Sequence, residues 1–358
     1  MRLDEIELYG LNREGRDPTD FVGYNVYEAV IRPALNDERS RVLTDNKWVF
    51  YRHVAPHGIP IPETLALLDR RFGMTWDGLP CTSVEQLEEI LRKRRPQTLV
   101  IKPAGGVQGQ SVLVYKQIDH ETGLARSVTG QTDDYLQAIR QLPTVEFRGG
   151  SGYVVQSQVK QHPGLAAINP HTSNTVRVVT HMTNDGVIQV PFAVARFGRQ
   201  GNMVDNWASG GISVGIHVAT GEMGRGIIKP KHGGRWVEAH PDTGIGFAGT
   251  EVPKWKETVE LCKRAARLFP GVRSIGWDVI VTDEGPVILE ANEEWDLIMV
   301  QVHTDGWLTQ DGVRSDFESL GIDLPREIPS AMKTVLEIAA RKTRKLAGQF
   351  AAKANAGR

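Results

Sequence analysis

Apolar positions run at helical spacing near the start of the chain, at strand spacing through its middle, and at helical spacing again at its end. Val22, Tyr24, Val26, Tyr27, Val30 and Ile31 predict a helix within 22–38, stopped near Pro33. Lys47 to Val54 reads as helical. The run Pro56-His-Gly-Ile-Pro-Ile-Pro62 then breaks the chain and allows a short extended piece. Ser83, Gln86 and Leu87 form a capping-box pattern that opens a helix to Arg95. From Gln97 the texture becomes β-rich, with strands expected at 98–102, 111–115, 153–159 and 175–182. Asn184-Asp-Gly186 is a turn signal that joins 175–182 to 187–196 as a hairpin. A helix fits 254–268, and two further strands cover 275–282 and 286–292. Residues 331–350 form an amphipathic pattern, with Met332, Val335, Leu336, Ala339 and Leu346 on one side and Arg341, Lys342, Arg344 and Lys345 on the other. The basic side reads most simply as solvated surface. Strands and helices mix without strict βαβ alternation, so α+β lobes are expected rather than a Rossmann sheet.

At 358 residues the chain is too long for one ordinary core and implies two or three lobes. Apolar residues at 40% and charged residues at 24% are the balance of a globular chain. Lys and Arg total 42 against 43 Asp and Glu, so no global field recruits nucleic acid or anionic membrane. The start, MRLDEIELYG, is acidic and lacks the apolar core of a secretory signal, and no run is apolar enough to span a bilayer. Cys81 and Cys262 lie far apart and show no metal spacing, so inert buried thiols and a cytoplasmic location are expected.

Chemistry concentrates in three places. In Gly276-Trp-Asp-Val-Ile-Val-Thr-Asp-Glu-Gly-Pro-Val-Ile-Leu-Glu-Ala-Asn292, folding about Glu284 sets Thr282 opposite Pro286 and Asp278 opposite Glu290. Alternation then places Val279, Val281, Val287, Leu289 and Ala291 on one face and Asp278, Glu290 and Asn292 on the other. Opposed carboxylates roughly 5 Å apart at Cβ repel unless a cation lies between them. Magnesium, which prefers oxygen ligands, fits that gap. An ordinary acidic surface hairpin is the competing reading for this motif alone. In Leu99-Val-Ile-Lys-Pro-Ala-Gly-Gly-Val-Gln-Gly-Gln-Ser111, Lys102 ends a strand beside Gly105, Gly106 and Gly109, whose free amides suit phosphate oxygens. No Gly-Lys-Ser/Thr follows, and a strand rather than a helix comes next, which excludes a P-loop and a dinucleotide fingerprint. Arg177 and Arg196 fall near the same end of the 175–196 hairpin, close to Asn206-Trp-Ala-Ser-Gly-Gly211. Arginine forks bind phosphate or carboxylate bidentately.

In this order and spacing the pieces resemble the ATP-grasp superfamily, and more closely its sugar-transfer-associated branch, with affinity to glutamate-ligase-like enzymes. The resemblance covers roughly residues 45 to 302. It implies two α+β lobes with ATP between them and magnesium as the metal. Lys102, helped by Lys47, would hold the α- and β-phosphates, and the loop from Gly105 to Ser111 would close over them. Backbone groups of Gln156, Ser157, Gln158 and Val159 would meet adenine. Arg177, Arg196 and Asn206, with Gly210 and Gly211, would attend the transferred group, and Asp278, Glu290 and Asn292 would hold the metal. Two departures stand out. The hinge carries glutamines where the family often has an acidic ribose contact, and Glu293-Glu-Trp-Asp296 replaces the Pro-Gly turn of peptide ligases.

The expected divisions are an N-terminal region at 1–95, a central lobe at 96–160, a C-terminal lobe at 161–330 and a terminal helix at 331–358. The resemblance implies an ADP-forming carboxylate–amine ligase that works through an acyl phosphate. Its substrates would be a small-molecule or peptide carboxylate and an amine; a sugar acid, an amino acid and a peptide all fit. A kinase of the same fold and a non-catalytic nucleotide sensor remain alternatives, and a homodimer is compatible with the sequence.

Overall fold

The computed structural model describes residues 1–12, 15–105, 111–143, 146–147, 150–200, 205–328, 330 and 333–338. Residues 1–35, 183–187 and 296–358 form one compact unit; residues 36–182 and 188–295 form the other.

The smaller unit is helical. Its helical turns run from Tyr24 to Leu35 and pass through Pro33, so the expected stop at that proline does not occur. Proline lacks the N–H that would bond four residues back. Here Tyr27–Ile31 is wound as a π-helix, and the Arg32 amide already reaches back to the Tyr27 carbonyl, so the hydrogen-bond register is shifted just before the proline. Gln301 pins the preceding segment: its amide accepts from Val22 N at 3.0 Å and donates to Val22 O at 2.9 Å. Residues 333–338 are helical. The rest of the expected 331–350 helix lies outside the described residues.

The larger unit holds two seven-stranded antiparallel sheets. Strands β1 (Thr64–Leu68), β2 (Met74–Thr75), β3 (Leu99–Pro103), β4 (Leu113–Asp119), β5 (Leu124–Ser127) and β6 (Thr132–Asp134) belong to the first. A short ribbon of β7 (Glu146–Phe147) and β8 (Gly150–Ser151) leads to β9 (Tyr153–Gln156), which inserts centrally to give the order β2-β1-β9-β3-β4-β5-β6. The helix Val84–Arg94 packs Leu87 and Leu91 against this sheet. Its start is as read in one half of the capping box: Ser83 Oγ accepts from Gln86 N, but Gln86 Oε1 accepts from Thr82 N at 2.7 Å rather than from the Ser83 amide.

Strands β10 (Thr175–Met182), β11 (Ile188–Phe197), β12 (Ile212–Ile216), β13 (Met223–Ile228), β14 (Trp236–Val237), β15 (Ser274–Val281) and β16 (Pro286–Asn292) build the second sheet in the order β14-β13-β12-β11-β10-β15-β16. The helix Trp255–Ala266 contributes Leu261, Cys262 and Ala265 to the core shared with Val176, Val178, Trp277 and Val279. Burying each such aliphatic side chain contributes about 1.5–3 kcal/mol. Because side chains alternate, the intervening Arg177 and Asp278, paired across β10 and β15, take the other face.

The β15–β16 hairpin departs from the expected ladder in an instructive way. Val281, not Thr282, stands opposite Pro286, because Thr282 N closes the turn on Gly285 O. That shift alone would misalign the carboxylates. A bulge restores them: Val279 pairs with Ile288 while Asp278 pairs with Glu290, so Leu289 is the extra residue. The bulge also lets Ile288 join the core while Glu290, only two residues on, faces the other way. The expected placement of Val287 and Leu289 on one face with Val279 and Val281 is therefore wrong; both are half-buried, and Ile288 is the residue that joins Val279 in the core.

Candidate functional site

Asp278 sits midway along β15, one strand in from the edge of the second sheet, with both carboxylate oxygens engaged. Arg177 Nε donates to Oδ1 at 2.5 Å and Arg177 Nη2 to Oδ2 at 2.8 Å, a bidentate fork. Arg196 Nη1 adds a bond to Oδ2 at 2.9 Å. Gly276, two residues earlier on the same face, makes room. A Cβ there would meet Trp295 Cβ at 2.6 Å and Arg177 Cδ at 3.1 Å. Burial on its own would raise the Asp278 pKa, but the two guanidiniums hold the carboxyl well below the usual range.

The other carboxylate of the hairpin has a different partner. Lys47 Nζ lies 3.2 Å from Glu290 Oε2. Asn292 Nδ2 reaches Glu290 Oε1 at 3.4 Å and Gly276 O at 3.3 Å. Lys47 begins the helix Lys47–Val54, which Asn46 caps through Val49 N. The Lys47 amide is tied to Ala104 O at 2.7 Å, at the mouth of the glycine loop. One turn along that helix, Tyr51 Oη donates to Leu289 O at 2.5 Å and accepts from Lys102 Nζ at 3.0 Å. The carbonyl exposed by the bulge is thereby satisfied, and the first sheet is joined to the second through one hydroxyl. Burial lowers the Lys102 pKa, against the opposing pull of Glu290 and Asp278.

The remaining expected residues divide. Gln156 is buried and spends its amide on Thr64 Oγ1 at 2.8 Å. The amides of Ser157 and Gln158 are engaged by Glu63 O and Thr98 Oγ1, each at 2.9 Å, so an adenine ring would find these two donors taken. Ser157 Oγ also donates to the exposed Glu63 carboxylate at 2.7 Å. Val159 is half-buried beyond the end of β9. Gly105 is buried, Ser111 has a left-handed backbone with φ 54°, and Gly106 and Gly109 lie outside the described residues. Asn206 is not drawn into the arginine cluster: its Oδ1 caps its own 3-10 turn at Ala208 N, 3.0 Å. Gly210 supplies the left-handed end of that turn, and Gly211 lets the chain fold back, since a Cβ there would lie 2.5 Å from Asp205 O.

The sequence reading missed two side chains. Tyr51 lies four residues after Lys47, hence on the same helix face, and that spacing could have found it. Asp205 precedes Asn206 and is buried. Its Oδ1 accepts from Arg196 Nη2 at 2.8 Å, and its Oδ2 accepts from Thr175 N at 2.9 Å and Thr175 Oγ1 at 2.5 Å. Burial raises its pKa despite Arg196 and Thr175.

This donor set fits a metal–nucleotide pair. Asp278, Glu290 and Asn292 offer hard oxygen ligands from adjoining strands, and these suit magnesium. The cations that now neutralise them retain unused capacity. Arg196 Nε is buried with no acceptor among the described residues, and one hydroxyl engages a Lys102 ammonium that has three donors. Phosphate oxygens are acceptors of the kind these groups lack. Among the described residues no group of three or more His, Cys, Asp or Glu side chains is placed to hold a metal ion, so the candidate set depends on the amide oxygen of Asn292 beside two carboxylates. Both cysteines are free and buried. Among the described residues no helix is long and apolar enough to cross a membrane.

Comparison with known proteins gives one family and many distant folds. The family model for sugar-transfer associated ATP-grasp proteins matches residues 28–313. No curated protein sequence matches the chain. An ADP complex of N5-carboxyaminoimidazole ribonucleotide synthetase is similar at 11% identity and TM-score 0.41, over 71% of this chain and 45% of that one. A biotin carboxylase from Campylobacter jejuni matches at 10% identity and TM-score 0.43, over 89% of this chain and 53% of its own. The D-alanine-D-alanine ligase from Coxiella burnetii matches at 11% identity and TM-score 0.37, over 92% and 70%. The chain spans about half the length of the synthetases it matches.

Proposed function

Because the chain belongs to the sugar-transfer-associated ATP-grasp family, we propose that it is an ADP-forming carboxylate–amine ligase that works through an acyl phosphate. The observation that carries this reading is the convergence of Asp278, Glu290, Arg177, Arg196, Lys47 and Lys102 at one place between the two sheets. A kinase would use much of the same set. The two readings differ in their products, and the stoichiometry below separates them.

A carboxylate is a poor acyl donor because its leaving group would be oxide. In the proposed reaction a substrate carboxylate oxygen bonds to the γ-phosphorus, and ADP departs. The amine nitrogen then bonds to the acyl carbon, inorganic phosphate departs, and the amine gives up a proton. Lys102 and Lys47 hold phosphate oxygens, and Arg177 and Arg196 present fixed donors where charge builds on the transferred group. Asp278, Glu290 and Asn292 would hold magnesium, which would supply positive charge to offset that of the phosphates. With those carboxylates engaged by a metal, Lys47, Arg177 and the Nη1 of Arg196, which they now hold, would be available to phosphate oxygens. No nucleophilic side chain is required.

The test is a stoichiometry. Purified protein with ATP, magnesium, hydroxylamine and a panel of sugar acids, amino acids and short peptides is expected to form ADP and inorganic phosphate in equal amounts, with an acyl hydroxamate. ADP without free phosphate would instead identify a kinase. Arg177→Ala is expected to lower the rate on the order of 10²-fold or more.

A further inference from the structure

We propose that Asp205 is a positioning residue that holds the Arg196 guanidinium in place while Asp278 exchanges arginine for metal. The inference rests on the ligase reading above and adds a residue to it.

Arg196 is held by two carboxylates of different character. Asp278 accepts from Nη1, yet the same carboxylate is a candidate metal ligand, so this bond is one the working site gives up. Asp205 accepts from Nη2 and faces no such competition. Its other oxygen is fixed by the Thr175 amide and hydroxyl at the start of β10, the strand that carries Arg177. Asp205 therefore refers Arg196 on β11 to the backbone of its neighbouring strand. Gly211 permits this, because any larger residue would collide with the Asp205 carbonyl. Without Asp205, a guanidinium freed from Asp278 would keep only its flexible stem, and Nε, buried and without an acceptor among the described residues, would lose its aim.

Only a carboxylate satisfies this arrangement. Asp205 meets donors on both sides: Thr175 N–H on one, Arg196 Nη2 on the other. An asparagine has one acceptor oxygen and one donor nitrogen. In either orientation it sets N–H against N–H, and because Thr175 N is fixed backbone, the mobile arginine is the partner that yields. The isosteric change therefore alters alignment while leaving volume and packing the same.

The experiment measures kcat and KM for ATP in Asp205→Asn, Arg196→Lys and the double variant, with thermal melting as a check on folding. Asp205→Asn is expected to lower kcat about 30- to 100-fold while KM for ATP moves less than about threefold, the pattern of a contact made only in the transition state. In the Arg196→Lys background the same change is expected to cost less than about twofold, because residues that act as a unit are not additive. Thr175→Val, which removes the hydroxyl and keeps the amide, provides a milder variant and is expected to lower kcat several-fold. Losses that multiply in the double variant, or a normal kcat in Asp205→Asn beside a disabled Arg196→Lys, would overturn the positioning role alone. A normal kcat in Arg196→Lys would overturn that role together with the reading of Arg196 on which it depends.

Discussion

Tyr51 shows how much one hydroxyl carries. It donates to the bulge carbonyl of Leu289 and accepts from Lys102. In Tyr51→Phe the buried carbonyl loses its partner, a change that costs about 1–3 kcal/mol. A lowered melting temperature with weakened ATP binding is therefore expected, and scanning calorimetry with and without nucleotide measures both. Lys102 supplies a pH signature. Its folded pKa lies below the ordinary lysine value of about 10.4, so its charge is lost at lower pH than in a free lysine. Affinity for ATP is expected to be full below the folded value and to decline as pH rises through it, before ordinary lysines titrate. Phosphate oxygens favour the charged form, so binding should take up protons in that range. Lys102→Arg stays charged and is expected to remove the decline; a decline unchanged in that variant would assign it elsewhere.

Elements matter here through their irregularities. A regular β16 would put Ile288 and Glu290 on one face, because they are two residues apart. The Leu289 bulge separates them, and the side chain of Glu290 then meets that of Asp278. Two departures from the simple hairpin, the longer turn and the bulge, compensate each other. The Asp278–Glu290 pairing was therefore legible in the sequence although the ladder around it was not. The Asn184-Asp-Gly186 turn signal placed Arg177 and Arg196 near one end of their hairpin, and after a register shift between Val179 and His181 Thr175 stands opposite Arg196 and Arg177 opposite Val194. Local signals cannot report a bulge whose carbonyl is satisfied by a tertiary contact, here a tyrosine arriving from a helix over two hundred residues earlier. Nor could they reveal Asp205, whose role depends on two strands meeting it from either side. At this scale Gly211→Ala is the informative change. Its Cβ would lie 2.5 Å from Asp205 O and 2.9 Å from Asn206 O, so the turn must shift. Turnover is expected to fall at least about tenfold, comparable to loss of part of a preorganised donor set, and a turnover unchanged from wild type would remove this turn from the account.

At the scale of the molecule, the proposed site takes complementary halves from two antiparallel sheets. The first gives Lys102 and the glycine loop, and the second gives the carboxylates and arginines, with the Lys47–Val54 helix bridging them. The α+β class and the family were legible because several weak motifs occur in one order. The π-wound passage through Pro33 was not, since propensity at a single proline does not show how the preceding turn is wound. The most direct measurement is a crystal structure with a non-hydrolysable ATP analogue and magnesium. The account expects Asp278, Glu290 and Asn292 on the metal, Lys47 and Lys102 on phosphate oxygens, and Arg196 still held by Asp205. Nucleotide bound elsewhere, with Asp278 still locked between its two arginines, would contradict it.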